Sequence, residues 1–428
     1  MIKTITPGHR NGEVNIPSSK SVVHRLLLCA ALGREPVSIS YRGLSKDIRA
    51  TADCLSALGA NIQTEETELK VFPIRENNQS SEEVVLPAGE SGSTLRFLLP
   101  VVGALGRKAR FQMEGRLSER PLAPFDRVLS EHGMKISREG KYLIVDGQLE
   151  SGTFELPGNI SSQFFSGLLF ALPMLPEESH IISQGKLESG AYIDLTETAL
   201  RTGGIRFNRK EYLDGTAWEI EAKQRPQLPQ TLSADGDWSN AAFFLCAGAL
   251  SEHGITVHGL ASNSAQGDRE VLDLLNAFGA DVRIGENDVT VCRGDLRPVN
   301  VEADAIPDLV PVISVLCCAA EGDSRISSAA RLRLKESDRL RTTTTLIRNL
   351  GGNAEETADG LVIHGTGILT GGSSDTFNDH RIAMSAAMAA SICTGPVHAI
   401  GAECVEKSYP AFWRDFESLQ TDTDGSGR

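Results

Sequence analysis

Pro17-Ser18-Ser19-Lys20-Ser21-Val22-Val23-His24-Arg25-Leu26-Leu27-Leu28 opens a helix. Ser18 or Ser19 can accept a backbone N–H as N-cap, and the apolar run behind them carries the helix to a terminal Gly33. The charge at this start is unusual. A helix N-terminus carries positive partial charge and favours Asp or Glu. Here Lys20 stands in the first turn and Arg25 soon after. Cations beside unpaired N–H groups make an anion site. A capped core helix with a snorkelling lysine would account for the stretch taken alone.

The pattern recurs. Polar starts followed by apolar runs stand at Glu90–Arg96, Ile160–Phe164, Gly236–Asn240, Ile306–Leu309 and Asn378–Arg381. A regular spacing of about 70–76 residues marks internal repetition, here six copies. A second series of amphipathic helix ends falls between them, at Leu55–Ala60, Leu129–Gly133, Leu200–Gly204, Leu275–Ala280 and Leu346–Gly352, with Phe412–Leu419 as a sixth copy that lacks the glycine. Strand-like runs at Val14–Ile16, Val37–Ser40, Leu69–Phe72, Val84–Leu86, Asp281–Ile284 and Leu361–His364 complete the units. The fold class is therefore α/β, with the apolar helices buried and the amphipathic ones outside. The polar starts of the buried helices cluster, and functional residues belong there.

Composition narrows the partners. The chain has 428 residues, 40% apolar and 23% charged, and a net charge of −14. That balance excludes a general nucleic-acid or anionic-membrane binder and leaves room for a small anion in a locally basic cleft. The apolar runs Phe164–Leu175 and Leu309–Ala320 are shorter than the ~18–20 residues of a membrane span. Met1-Ile2-Lys3-Thr4 opens no signal peptide. Eight scattered cysteines, none in a Cys-x-x-Cys pair, read as core residues of a cytoplasmic protein. Dispersed His and Cys offer no zinc site, and neither Gly89–Thr94 nor Gly365–Gly372 fits a nucleotide-binding loop, so no metal or organic cofactor is expected. The Pro- and Gln-rich stretch Gln224–Gln230 is the best domain boundary, and a polar tail beginning at Gln420 reads as frayed.

The acid/base candidates are Asp308, at the head of an apolar helix, and Glu336, in Lys335-Glu336-Ser337-Asp338-Arg339. Each has an ordinary explanation: a dipole partner for Asp308 and a solvated ion-pair face for Glu336. Asn378 or Asp379 can cap the next helix, which leaves His380 and Arg381 unexplained. Together the starts agree: most copies carry a cation, an amide or a hydroxyl at one equivalent place. That is the pattern of a cleft for polyanionic small molecules.

Pro17-Ser18-Ser19-Lys20-Ser21 with Arg25, Ser161-Ser162-Gln163, Lys335-Glu336-Ser337-Asp338-Arg339 and Asn378-Asp379-His380-Arg381 resemble, in order and over the whole chain, the enolpyruvyl transferase family in its 3-phosphoshikimate 1-carboxyvinyltransferase branch. The resemblance implies a two-domain inside-out α/β barrel of βαβαββ repeats, three per domain. It implies an N-terminal domain at 18–230, a C-terminal domain of 1–17 plus 231–420, and a flexible tail at 421–428. It implies transfer of the enolpyruvyl group of phosphoenolpyruvate to the 5-hydroxyl of shikimate 3-phosphate, with domain closure excluding water. On this likeness Ser21 and Arg25 hold the shikimate carboxylate, and Ser161, Ser162 and Ser189 its phosphate. Lys20, Gly92, Arg120 and Gln163 face the phosphate of phosphoenolpyruvate; Arg339, Arg381 and Lys407 face its carboxylate. Lys20 and Gln163 also border shikimate 3-phosphate. Asp308 resembles the base for the 5-hydroxyl, with Lys335 beside it, and Glu336 the acid for the methylene carbon. A monomer is expected.

Glu90, Arg331 and Ser18 depart from the family's usual Asn, Asn and Gly, and Arg331 is given no substrate role. Gly92 leaves room for inhibition by glyphosate. The sister enzyme that acts on UDP-N-acetylglucosamine carries a reactive Cys in its mobile loop, and Gly115–Arg120 has none. A non-catalytic anion-binding member of the fold would not need the pair Asp308 and Glu336.

Overall fold

The computed structural model describes residues 1–75 and 82–421. Most of the polar loop expected at 76–83, and the tail beyond 421, lie outside the described residues. The chain forms two compact units, Lys20–Ala234 and Met1–Ser19 with Asp235–Arg428.

In the unit Lys20–Ala234, three helices are almost wholly buried: α1 (Lys20–Leu32), α3 (Gly92–Ala104) and α5 (Ser162–Ala171). Between them run α2 (Lys46–Ala57), α4 (Phe125–Glu131) and α6 (Gly190–Thr202), each with one buried face. Three four-stranded sheets complete the unit, so a barrel's usual order is inverted, with helices at the centre. One repeat shows the rule. Strand Val84–Gly89 enters α3, strand Ala109–Met113 lies parallel to it, and the hairpin Lys135–Glu139 with Tyr142–Asp146 adds antiparallel strands. Alternate strand residues such as Leu86, Phe111, Leu143 and Val145 point inward and are buried against the helices.

The first repeat obtains its opening strand from the far end of the unit. Thr231–Ser233 pairs parallel with Val37–Ser40. Residues 231–234 therefore belong with the first unit, not with the second as the resemblance implied. The Pro- and Gln-rich stretch before them is no free linker: Gln224 N–H bonds Pro173 O, and Gln227 N–H bonds Gly203 O.

The second unit repeats the plan. Its buried helices are α7 (Trp238–Gly248), α9 (Val310–Ala319) and α11 (His380–Ala389), with α8 (Val271–Phe278), α10 (Arg339–Asn349) and α12 (Phe412–Ser418) between them. The N-terminal segment supplies two strands. Arg10–Asn15 lies parallel to Ile255–His258, and Ile2–Ile5 lies antiparallel to Val397–Ile400. Among the described residues the last repeat has no C-terminal hairpin of its own in that sheet, and Ile2–Ile5 takes its place. Gln420 and Thr421, expected to fray, pair with Asn11 and Arg10. The reason is that the strand Arg10–Asn15 has an open edge there, which two more residues cover.

Candidate active site

The buried helices begin with the polar residues singled out in the sequence, and each unit gathers its own set.

In the first unit α1 starts at Lys20, whose Nζ is 2.9 Å from Asp47 in the first turn of α2. One turn further Arg25 is buried. Its Nε bonds Thr196 Oγ1 at 2.8 Å, and its two terminal nitrogens bond the carbonyls of Ser21 at 2.7 Å and Tyr192 at 2.6 Å. Its guanidinium lies over Phe97, and burial pulls its pKa down to about 10. Four neutral groups thus fix its plane without spending its charge on a carboxylate.

A second cluster forms where α3 and α5 start. Arg96 Nη1 donates to Gln163 Oε1 at 2.9 Å, and Gln163 Nε2 donates to Ser93 Oγ at 2.9 Å, which orients the amide. Gly92 is the floor of this cluster. A Cβ there would meet Arg120 Nη1 at 2.5 Å and Arg96 Nη1 at 2.7 Å. Two guanidinium groups therefore pack directly over a helix N-terminus whose Ser91 cap accepts from Thr94 N–H. Such a concentration of donors suits a phosphate. Ser161 caps α5, Ser162 is its buried first residue, and Ser189 precedes α6 in a left-handed conformation with φ 54°.

In the second unit Arg339 is the hub, with 1% of its side chain exposed. Nη1 bonds Asp308 Oδ1 at 2.7 Å, Nη2 bonds Glu336 Oε2 at 2.8 Å, and Nε bonds Asp379 Oδ2 at 2.8 Å. Burial opposes the Arg339 charge, but the carboxylates of Asp379, Glu336 and Asp308 hold its pKa well above the ordinary value. Arg381 Nη2 bonds the other Asp308 oxygen at 2.8 Å, and Lys335 Nζ stands 3.7 Å from Asp308 Oδ1. Burial brings the Lys335 ammonium down to about 8 despite the neighbouring Asp308. Lys407 Nζ donates to the Asn378 carbonyl at 2.7 Å. That carbonyl is presented by Phe377 and Asn378, both with positive φ, of 53° and 55°.

Asp308 stands at the head of α9 as expected, and is more than a dipole partner for it. Leu309 is the N-cap residue of α9, and the Asp308 carboxylate is spent on two arginines. The run Arg331–Arg341 is not one solvated face. Arg331 reaches the Asp304 carbonyl and Arg333 pairs with Asp338 and Glu356, while Lys335 and Arg339 turn to Asp308 and Glu336 pairs with Arg339. Chain order missed Arg96, Asp47 and Thr196. A lone arginine inside the apolar run Thr94–Val102 was the available signal for Arg96. Asp47 and Thr196 carry none, because ordinary helix positions hold them. Asp268 was also missed. Burial and the nearby Asp308 raise its pKa to about 6, and it accepts from Ser239 Oγ. Among the described residues no group of His, Cys, Asp and Glu could hold a metal ion.

The family model for EPSP synthase (3-phosphoshikimate 1-carboxyvinyltransferase) matches residues 5–416. The chain is 39% identical over 421 residues to the 3-phosphoshikimate 1-carboxyvinyltransferase of Clostridium perfringens strain ATCC 13124, covering 97% of each chain. It is 40% identical over 422 residues to the protein of that name from Clostridium acetobutylicum, covering 98% of this chain and 97% of that one. Among solved structures, EPSP synthase from Acinetobacter baumannii matches with a TM-score of 0.79 at 24% identity, covering 98% of both chains. The enolpyruvyl transferase NikO from Streptomyces tendae matches with a TM-score of 0.77 at 18% identity, covering 98% of this chain and 97% of that one. The two structures share the inverted α/β fold, and the sequence match along nearly the whole chain shows that it belongs to the EPSP synthase (3-phosphoshikimate 1-carboxyvinyltransferase) family.

Proposed function

We infer that the protein transfers the enolpyruvyl group of phosphoenolpyruvate to the 5-hydroxyl of shikimate 3-phosphate and releases phosphate, a step toward chorismate and the aromatic amino acids. The observation that carries the reading is the Asp308–Arg339–Arg381–Glu336 cluster, in which an acid/base pair shares the Arg339 guanidinium and Arg381 adds a second bond to Asp308. Simple anion binding has no use for two carboxylates on one arginine.

The chemistry assigns roles. Glu336 delivers a proton to the methylene carbon of phosphoenolpyruvate, which makes its C2 electrophilic. The 5-hydroxyl oxygen bonds to C2 while its proton passes to Asp308, with the Lys335 ammonium balancing the charge. The tetrahedral adduct then breaks its C–O bond to phosphate, and return of a methyl proton to the Glu336 carboxylate restores the double bond. Arg339, Arg381 and Lys407 take the substrate carboxylate, and Lys20, Gly92, Arg120 and Gln163 the phosphate of phosphoenolpyruvate, with Arg96, which bonds Gln163, proposed beside them. Ser21 and Arg25 take the shikimate carboxylate, and Ser161, Ser162 and Ser189 its phosphate. A cytoplasmic monomer is the simplest working form, and light scattering tests it. Support for the compartment comes from eight cysteines, seven of them buried and none paired in a disulfide.

Phosphate release is the test, run with phosphoenolpyruvate and shikimate 3-phosphate beside phosphoenolpyruvate and UDP-N-acetylglucosamine. Release with the first pair alone is expected. In Asp308→Asn, loss of a positioned base lowers kcat by about 10²–10⁴-fold. The KM for phosphoenolpyruvate does not rise, because two arginines lose a competing carboxylate. A variant with wild-type kcat would remove Asp308 from the mechanism.

A further inference from the structure

His24 is buried on α1, one turn beyond Lys20. Its Nδ1 lies 2.7 Å from Thr51 Oγ1, Thr51 Oγ1 lies 2.7 Å from Thr94 Oγ1, and Thr94 Oγ1 donates to Ser91 Oγ at 2.7 Å. Ser91 caps α3, and Gly92 follows it. The chain thus links the starts of three helices through side chains alone. Its first link is the second rung of a ladder. Lys20 pairs with Asp47 and, four residues on in both helices, His24 pairs with Thr51.

The direction of the chain follows from proton count. Each hydroxyl has one proton to give. Thr94 gives its proton to Ser91, so it accepts from Thr51; Thr51 in turn accepts from His24. The His24 proton therefore sits on Nδ1. Nε2 makes no hydrogen bond among the described residues. A bare lone pair is the cheaper atom to leave buried there. Burial and the charges of Lys20 and Arg25 push the ring pKa well below its ordinary value, which keeps it neutral.

The structure assigns His24 as a positioning residue: through Thr51, Thr94 and Ser91 it fixes α1, α2 and α3 in register, and so holds Lys20 and the N-terminus at Gly92 for the phosphate of phosphoenolpyruvate. The assignment rests on the reaction proposed above. It requires a donor at the place of Nδ1, which an asparagine amide occupies and the longer glutamine amide overshoots.

The test compares His24→Leu, His24→Asn and His24→Gln in the full chain. Losing a buried donor in His24→Leu raises the KM for phosphoenolpyruvate by about tenfold, more than it lowers kcat. His24→Asn returns KM to within about threefold of wild type, because the Nδ1 bond is remade, and His24→Gln behaves like His24→Leu. A merely structural lesion would reduce the active fraction, lowering kcat at unchanged KM. That result, or asparagine no better than glutamine, overturns the assignment. If His24→Leu does not fold, Thr51→Val breaks the same rung from α2 and is judged by the same KM criterion. Calorimetric binding of inorganic phosphate makes the comparison without turnover. A wild-type protein that releases no phosphate would overturn the transfer reaction alone, and weaker phosphate binding in His24→Leu, restored in His24→Asn, would still support the ladder.

Discussion

Lys335 shows how one residue sets a pH limit. Burial takes its ammonium down to about 8, and Arg339 and Arg331 push the same way against the attraction of Asp308. Below that pH the cation stands beside the proposed base; above it the charge is gone. We expect kcat to fall as pH rises through about 8, and Lys335→Arg, which keeps its charge, to remove that alkaline limb from the pH–rate profile. Stability runs the other way. The unfolded chain holds this proton to about 10.5, so between about 8 and 10.5 it binds more protons than the folded chain, and this group adds stability as pH rises. An identical alkaline limb in Lys335→Arg would assign it to another group. The sequence made Lys335 a candidate by position alone. Its perturbation was not legible there, because it comes first from burial that only packing provides, and the Asp308 that opposes it lies 27 residues away along the chain.

At the level of elements, α3 and α5 meet unusually closely. Gly167 of α5 faces the Arg96 carbonyl of α3, and a Cβ at 167 would run into it. Pro100 contributes to the same contact, since it has no N–H to bond that carbonyl in the usual helical way. The approach brings Gln163 to Arg96 and Ser93. Gly167→Ala should therefore separate the helices at a cost of about 1–3 kcal/mol, read as a lower Tm. An unchanged melting curve would show that α5 can slide without penalty. The helices themselves were legible, because apolar runs behind polar starts need no tertiary information. The expected strand Val37–Ser40 matches the structure, and Asp281–Ile284 does too. The short outer helices were located only by their ends, since α4 and α12 have 7 residues each and little periodicity to read.

For the whole molecule, the notable economy is the reuse of terminal segments as strands. Ile2–Ile5 and Arg10–Asn15 complete two sheets of the second unit, and Ile5, Val14 and Ile16 are buried there. Each such side chain is worth roughly 1.5–3 kcal/mol when buried. Deleting residues 1–16 should therefore melt that unit at a markedly lower temperature, measured by calorimetry, and an unchanged profile would mean these strands are dispensable. The sequence by itself determined the sixfold repetition, the α/β class and the family, because these reside in local pattern and in motifs of fixed spacing. Only the tertiary structure decided that Thr231–Ser233 closes the first sheet, that Gln420–Thr421 is a strand, that Arg96 bonds Gln163, and that Asp308 is held by Arg339 and Arg381. Each of these depends on groups far apart in the chain, and their pairing energies exist only once the buried helices have set the starts of the repeats side by side.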